Sequence, residues 1–380
     1  RMFDTYAELL PKLTDFFREQ FPKDEQDSDF VYRQAVRAKA FDALRGILPA
    51  ASLSNVGIYG TGQAYEALLL RMRSHPLPEA RTYADLMLGE LRKVIPSFLK
   101  RVDLADRGVA WSDYLGRNRE AMDDVAERFF PTGSTEAQAA PRTTLVDFDP
   151  DAEVHLVTAM LYAHTHLPEV QVEQRVRAMS AEERLAVVKA YVGERANRRH
   201  RPGRALERID YRFDVLADYG AFRDLQRHRM LTIEWQPLTP LHGYTRPEAV
   251  DLAGEGPAFD RAMERSASLY GLLATRFPAE ASYAVCLAYK VRFSMQMNAR
   301  EAMHLLELRS GPQGHPAYRE VAQDMHRLII LGGVEQRGLT STDALSLSHL
   351  FRDELVLGGI RVPRLAVFAD GKGVDDRGTR

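Results

Sequence analysis

The sequence predicts an α+β fold, and three observations predict it. Ile209, Tyr211, Phe213 and Val215 alternate with Asp210, Arg212 and Asp214, the period-two pattern of a half-buried strand. Most other segments repeat apolar residues at helical spacing over long runs. Strand and helix segments do not alternate regularly, which argues against a doubly wound parallel sheet.

The composition sets the class of chain. Its 380 residues suit two or three domains, and 45% hydrophobic with 27% charged residues give a normal core. Lys plus Arg is 51 and Asp plus Glu is 53, a net charge of −2. That argues against bulk nucleic-acid binding, which needs a basic excess, and leaves room for a local anion site. A single cysteine, Cys286, excludes an internal disulfide framework and a cysteine-rich metal site, and a cytoplasmic chain is the simplest expectation. No apolar run reaches the roughly 18 residues that span a bilayer, so no membrane segment or signal peptide is expected. Arg1 stands before Met2, which suggests an upstream segment.

Residues 1–25 predict a helix, with Phe3, Tyr6, Leu9, Leu13, Phe16 and Phe17 at helical spacing. A charged break at Lys23–Asp29 separates it from a helix over 30–47, which Pro49 ends. Helices follow at 63–72, 79–94 and 111–129. Pro131–Pro141, rich in Thr, Ala, Gly and Ser, reads as the linker. The expected organisation is a first domain at 1–130, a linker at 131–142, a second domain at 143–345 and an extension at 346–380. The second domain opens with a strand at Leu145–Phe148 and a helix over 151–164. Ser180 and Glu183 form a capping box ahead of a helix to about Val192. The strand at 209–216 leads into a helix over 221–229. Further helices are expected at 258–276, 280–297, 299–309 and 316–331. The end, 370–380, has no ordering pattern.

Two segments are alike. Leu69, Leu70, Arg73, Ser74 and Pro76 match Leu305, Leu306, Arg309, Ser310 and Pro312. After a two-residue offset Pro78, Arg81, Ala84 and Met87 match Pro316, Arg319, Ala322 and Met325. Each is a helix, a Pro-containing turn and a second helix. The expectation is two related copies, the first truncated at its front; chance likeness of two hairpins is the alternative.

Two motifs can carry chemistry. Arg227, His228 and Arg229 are expected to close the helix after the 209–216 strand, and such side chains can meet phosphates or a polarised carbonyl. Taken alone, they equally suit a helix C-terminus with favourable positive charge. In the run from Asn298 to Arg309, Asn298 can cap a helix and Arg300 and His304 share one face. A basic run, Arg198 to Arg208, reads as a solvated face, with steering of an anionic ligand as the alternative. His164 and His166 lack partners at ligand spacing, and no metal site is expected.

Together the motifs resemble the flavin-dependent thymidylate synthases. That family carries an RHR triplet after a strand and helix, and a downstream Asn-Ala-Arg-Glu helix ending in Leu-x-Leu-Arg. Here the sequence reads LERIDYRFDVLADYGAFRDLQRHR and, later, NAREAMHLLELR followed by REVAQDMHRLI. The resemblance covers roughly 143–331. The first part is similar only to the C-terminal half of that fold, where RGILP at 45–49 looks like the family's Arg-x-x-Leu-Pro.

The resemblance implies an antiparallel sheet with long helices, and thymidylate made from dUMP. Methylene-tetrahydrofolate would supply the carbon and NADPH-reduced FAD the hydride. It implies that Arg227, His228 and Arg229 contact flavin and substrate. It implies that Asn298, Arg300 and His304 hold the flavin. Arg309, Arg45, Thr232, Glu234 and Gln313 would line the nucleotide site. The family's sites are shared between subunits, so a homodimer forming a pseudo-tetramer is expected, with Arg45 approaching the pocket of Arg227 and Asn298.

The chain departs from the family after the triplet. Thr232 can stand for a Ser, but Glu234 replaces Asn, Trp235 replaces Glu, Pro237 replaces Ser and Thr239 replaces Arg. Ser282 and Cys286 stand in the second copy where the family has the Arg and Pro of Arg-x-x-Leu-Pro, and Pro202 stands at a family His. Division of labour between the copies and decay of the first are both open. The rival expectations are a flavin- or nucleotide-binding homologue without synthase activity and an enzyme acting on another pyrimidine nucleotide.

Overall fold

The computed structural model describes residues 1–25, 27–131, 140–311, 314–335, 356–357 and 360–361. They divide into two compact units. One holds residues 1–48, 140–263 and those from 286 onward; the other holds 49–139 and 264–285.

Chain order begins in the first unit with α1 (Met2–Gln20) and α2 (Asp29–Leu44). Ser28 caps α2 by accepting from the Val31 amide, and a 3₁₀ turn, Arg45–Ile47, ends the run earlier than the apolar spacing predicts. The all-helical unit follows: α3 (Gly62–Arg73), α4 (Pro78–Arg92), the single turn α5 (Pro96–Leu99) and α6 (Ala110–Phe129). Thr61 caps α3, and Leu69, Ala84, Leu88, Leu99 and Val102 form its core.

The first unit then resumes with β1 (Thr143–Phe148), α7 (Ala152–Tyr162), α8 (Glu169–Ala178) and α9 (Ala181–Val192). The expected capping box at Ser180 and Glu183 is formed in both directions. β2 (Asp210–Asp218), α10 (Tyr219–Leu225), β3 (Leu231–Trp235), α11 (Glu248–Leu252) and α12 (Gly256–Ala274) follow. The division between units falls inside α12. β4 (Lys290–Asn298), α13 (Ala299–Arg309) and α14 (Pro316–Glu335) follow, and two short strands, β5 (Val356–Leu357) and β6 (Ile360–Arg361), pair antiparallel.

The fold is α+β with a four-stranded antiparallel sheet in the order β1-β2-β4-β3. Register aligns Tyr211 with Met297, Phe213 with Met295 and Val215 with Phe293. These side chains fall on one face, and Phe213, Val215 and Met295 are fully buried. Burying each such side chain contributes about 1.5–3 kcal/mol. The helices α10, α13 and α14 pack against this part of the unit.

Three expectations are corrected. The helix at 280–297 is a short 3₁₀ turn, Ala281–Ala284, followed by β4. Val291, Phe293, Met295 and Met297 alternate with Arg292, Ser294 and Gln296, so period two decides. The helix expected to run to Arg229 stops at Leu225, and the arginine–histidine triplet lies in the turn that leads to β3. Residues 1–48, placed in the first domain by the linker, belong with the sheet. The cause is backbone pairing: Ala288 N donates to Gly46 O and Leu287 N to Leu48 O, both at 2.9 Å. Gly46 permits this approach, since a Cβ there would stand 2.9 Å from the Ala288 Cβ. Cys286 joins the same seam through its thiol, which donates to Ile47 O at 2.9 Å.

Both repeat segments are helix–turn–helix hairpins, α3–α4 and α13–α14. The second follows β4 directly, whereas residues 53–61 ahead of α3 form no described strand. The linker residues 132–139, Gln313 and the end of the chain from 362 lie outside the described residues. No helix among the described residues is long and apolar enough to cross a membrane.

Candidate functional site

Two strand ends and the helices they launch build the site. β2 ends at Asp218, whose carboxylate accepts from the Ala221 amide at 2.9 Å and starts α10. β4 ends at Asn298, whose side-chain oxygen accepts from the Glu301 amide at 2.9 Å and starts α13. These caps use the polar residue at the end of each strand, so the strand fixes where each helix begins. The turn after α10 carries His228 inward to α13.

His228 is the centre. Its side chain is 3% exposed, and Nδ1 stands 2.8 Å from the Glu301 carboxylate, itself 9% exposed. On the other edge of the ring, Nε2 accepts from Arg309 Nε at 3.1 Å. A guanidinium can only donate, so Nε2 offers its lone pair and the ring proton sits on Nδ1, donated to Glu301. His304, three residues beyond Glu301 on the same helix face, has its ring centroid 5.5 Å from that of His228. Burial pulls the His304 pKa below the usual histidine value; Glu301 opposes that shift, while His228, Arg201 and Arg198 add to it.

The ligand atoms of His228, Glu301 and His304 lie within 4.8 Å of one another, a cation-sized spacing that the sequence did not predict. Arg309 decides its use. While Nε2 accepts from the guanidinium, Nδ1 holds the proton and offers Glu301 a hydrogen rather than a metal a lone pair. Glu301, His228 and Arg309 form a hydrogen-bonded relay from carboxylate to guanidinium, with His304 beside it.

Arg309 links this relay to a second cluster. Its Nη2 donates to Asp224 O at 2.9 Å. The Asp224 carboxylate meets Arg45 Nη1 at 3.6 Å and Arg227 Nη2 at 3.3 Å. Three guanidinium groups therefore converge on one aspartate, two on its carboxylate and Arg309 on its main-chain oxygen. Arg45 Nη2 is buried without a hydrogen-bond partner among the described residues. An orphaned buried donor is costly, and a bound anion would satisfy it. His315, close enough to Arg45 and Asp218 to feel both charges, has its pKa lowered by burial first and by Arg45 second.

The structure sorts the sequence-predicted residues. It brings together Arg45, Arg227, His228 and Arg309 around Asp224 and Glu301, and His304 beside them. Asn298 lines a cleft with Glu301 and His304, its oxygen used in the cap and its amide nitrogen left as a donor. Arg300 also lines it, but its donors go to Pro202 O at 3.0 Å and the Glu207 carboxylate at 2.9 Å. Arg229 is exposed on the turn. Thr232 and Glu234 pair with Gln296 and Ser294 on β3 and β4. They alternate with Ile233, which faces the core, and no described hydrogen bond or ion pair joins them to the cluster. Gln313 lies outside the described residues. Sequence reasoning missed Glu301, Asp224 and the pair Arg195–Glu307. Glu301 had a signal: it is three residues from both Asn298 and His304.

Residues 144–330 match the family model described as thymidylate synthase complementing protein. The chain belongs to this family, the flavin-dependent thymidylate synthases that its motifs resemble. It is 37% identical over 331 residues to a UPF0159 protein of Chlamydia pneumoniae and 38% identical over 331 residues to one of Chlamydia muridarum. In both cases the match covers 87% of this chain and 62% of the relative, so the chain spans less than two thirds of their length. A UPF0159 protein of Thermoplasma acidophilum is 30% identical over 355 residues, covering 87% of this chain and 68% of the relative. Among solved structures, a flavin-dependent thymidylate synthase from Helicobacter pylori, complexed with FAD and dUMP, aligns with a TM-score of 0.37. Identity is 16%, covering 49% of this chain and 93% of that one. A UMP/dUMP methylase from Streptomyces cacaoi, bound with 5-Br UMP, aligns with a TM-score of 0.38 and 17% identity, covering 56% and 95%.

Proposed function

We propose that this chain forms a flavin-dependent thymidylate synthase or a close relative, methylating dUMP. The observation that carries the reading is the convergence of Arg45, Arg227 and Arg309 on Asp224, next to the buried His228. Arg45 and Arg227 share the Asp224 carboxylate while Arg309 donates to its main-chain oxygen, so one carboxylate answers two of the three guanidinium groups, and Arg45 Nη2 is the donor a phosphate would meet. The sequence departs from the family at the arginine position now held by Ser282; Arg45 supplies a guanidinium from the first 48 residues of the same chain. This favours division of labour over decay for that segment.

The residues present also fit a flavin. Asn298 keeps an amide donor toward the cleft, and His304, its charged form disfavoured by burial, supplies a ring that can stack or hydrogen-bond. When bound, FAD would accept hydride from NADPH and supply the reducing equivalents for the carbon carried by methylene-tetrahydrofolate. The protein's part is binding and orientation. Glu301 fixes the His228 ring, His228 fixes Arg309, and Arg309 presents its remaining donor edge to the nucleotide. A locked guanidinium loses less freedom on binding than a mobile one.

A specific observation keeps a second reading: Glu234, Trp235, Pro237 and Thr239 replace the family's nucleotide-contacting residues, and Thr232 and Glu234 lie apart from the cluster. On that reading the chain binds flavin and nucleotide without forming thymidylate, or acts on another pyrimidine nucleotide. The test is thymidylate formation from dUMP, methylene-tetrahydrofolate, NADPH and FAD. Product that disappears in Arg309→Ala supports the synthase. Flavin binding with no product from dUMP supports the second reading.

A further inference from the structure

The loop between α9 and the 3₁₀ turn at Arg204–Arg208 is a built structure rather than a solvated basic run. It is held at three places. Arg195 folds inward, with Nη1 and Nη2 at 2.7 and 3.0 Å from the two Glu307 oxygens on α13, and Nε donating to His200 O at 2.6 Å. The pair is buried, 6% and 3% exposed. Arg300, also on α13, donates to Pro202 O at 3.0 Å. At the far end the Ala205 amide donates to the Tyr191 hydroxyl at 3.0 Å, against Gly203, where a Cβ would stand 2.1 Å from that oxygen. The loop is thus pinned to the helix that carries His304.

Pinning the loop sets Arg198 and Arg201 in the lining of the cleft that holds His304 and Asn298. The other charged side chains there are engaged: Arg195 by Glu307, Arg300 by Glu207, and Glu301 by His228, which Arg309 holds from its other edge. Arg198 and Arg201 have no ion pair or side-chain hydrogen bond among the described residues. Two unmatched guanidinium groups, prepositioned at the mouth of a cleft, form an anion site, because their charge is not spent within the protein and the loop's ordering cost is already met by its own contacts.

We propose that Arg198 and Arg201 clamp a polyanionic part of a ligand whose uncharged part enters the cleft beside His304. The shared chemistry is two neighbouring anionic groups. Two sources offer it: the pyrophosphate of a dinucleotide, or the linked carboxylates of a glutamylated pterin. The inference rests on the proposed function only for the identity of the ligand; the site itself stands on the loop.

The test uses the whole chain and the double variant R198Q/R201Q, with both substitutions on exposed side chains so that folding is retained. Calorimetric titration with inorganic pyrophosphate and with tri-γ-glutamate gives the two arms. At least one anion binds the parent and loses tenfold or more in affinity in the variant, and its affinity in the parent falls as salt rises. Loss confined to pyrophosphate assigns the clamp to a dinucleotide; loss confined to triglutamate assigns it to the pterin tail. Neither anion binding the parent, or both binding the variant equally well, overturns the clamp. A parent that takes up FAD but fails this test keeps the proposed function and loses the clamp. A parent that passes it but takes up no FAD does the reverse.

Discussion

Replacing Glu301 tests the relay at its buried end. In Glu301→Gln the side-chain oxygen can still accept from His228 Nδ1, but a charge-assisted bond becomes a neutral one. Bonds to charged groups contribute about 1.5–3 kcal/mol and neutral ones about 0.5–1.5, so the expected loss is about 1–1.5 kcal/mol. Glu301→Ala removes the acceptor and leaves a buried N–H unpaired beside an uncompensated Arg309. With both side chains under 10% exposed, that loss should reach about 3 kcal/mol. The chain has two tryptophans, Trp111 in the helical unit and Trp235 on β3. In a Trp111→Phe background, urea unfolding followed by Trp235 therefore reports on the sheet unit. The expected result is a lower midpoint at unchanged slope, ordered parent, Gln, Ala. Nitrogen spectra of His228 should show the proton on Nδ1 in the parent. Both variants within about 0.5 kcal/mol of the parent, or a parent ring protonated only on Nε2, would refute the relay.

Other expectations follow from the same geometry. Glu307→Gln strands the buried Arg195 guanidinium, should cost about 3–5 kcal/mol, and should raise amide exchange in residues 195–202. Arg45→Gln and Arg309→Ala should each weaken dUMP binding roughly 10–150-fold, the loss of a charged hydrogen-bond partner, measured by titration. Because burial lowers the His315 pKa, the folded state binds its proton less readily than the unfolded chain does. Stability is therefore retained above the unfolded value near 6.5 and lost as pH falls from there toward the depressed value; His315→Gln should flatten that part of a melting-temperature profile. Ser180→Ala should cost about 1 kcal/mol through loss of the capping box, read from thermal melting.

Parts of this molecule were legible in the sequence for definite reasons. The 209–215 alternation announced β2 because one face is buried and the other polar. β4 carries the same alternation, yet the unbroken apolar stretch Ala284–Ala288 just ahead of it blurs period two into a helix-like run. The caps at Ser180 and Asn298 were readable because a cap is local. The relay was not, because Glu301 meets His228 across 73 residues and Arg195 meets Glu307 across 112. An acidic residue on a helix gives no sign of burial until its partner is known. Arg45 was singled out by motif, and the pairing of Gly46 with Ala288 explains how it reaches Asp224.

The most direct test of the central claim is the visible absorption spectrum of the purified chain, before and after addition of FAD, alongside the His304→Ala variant. A protein-bound flavin band is expected in the parent, present as purified or acquired on titration, with markedly weaker retention in the variant. A colourless parent that takes up no FAD would contradict it.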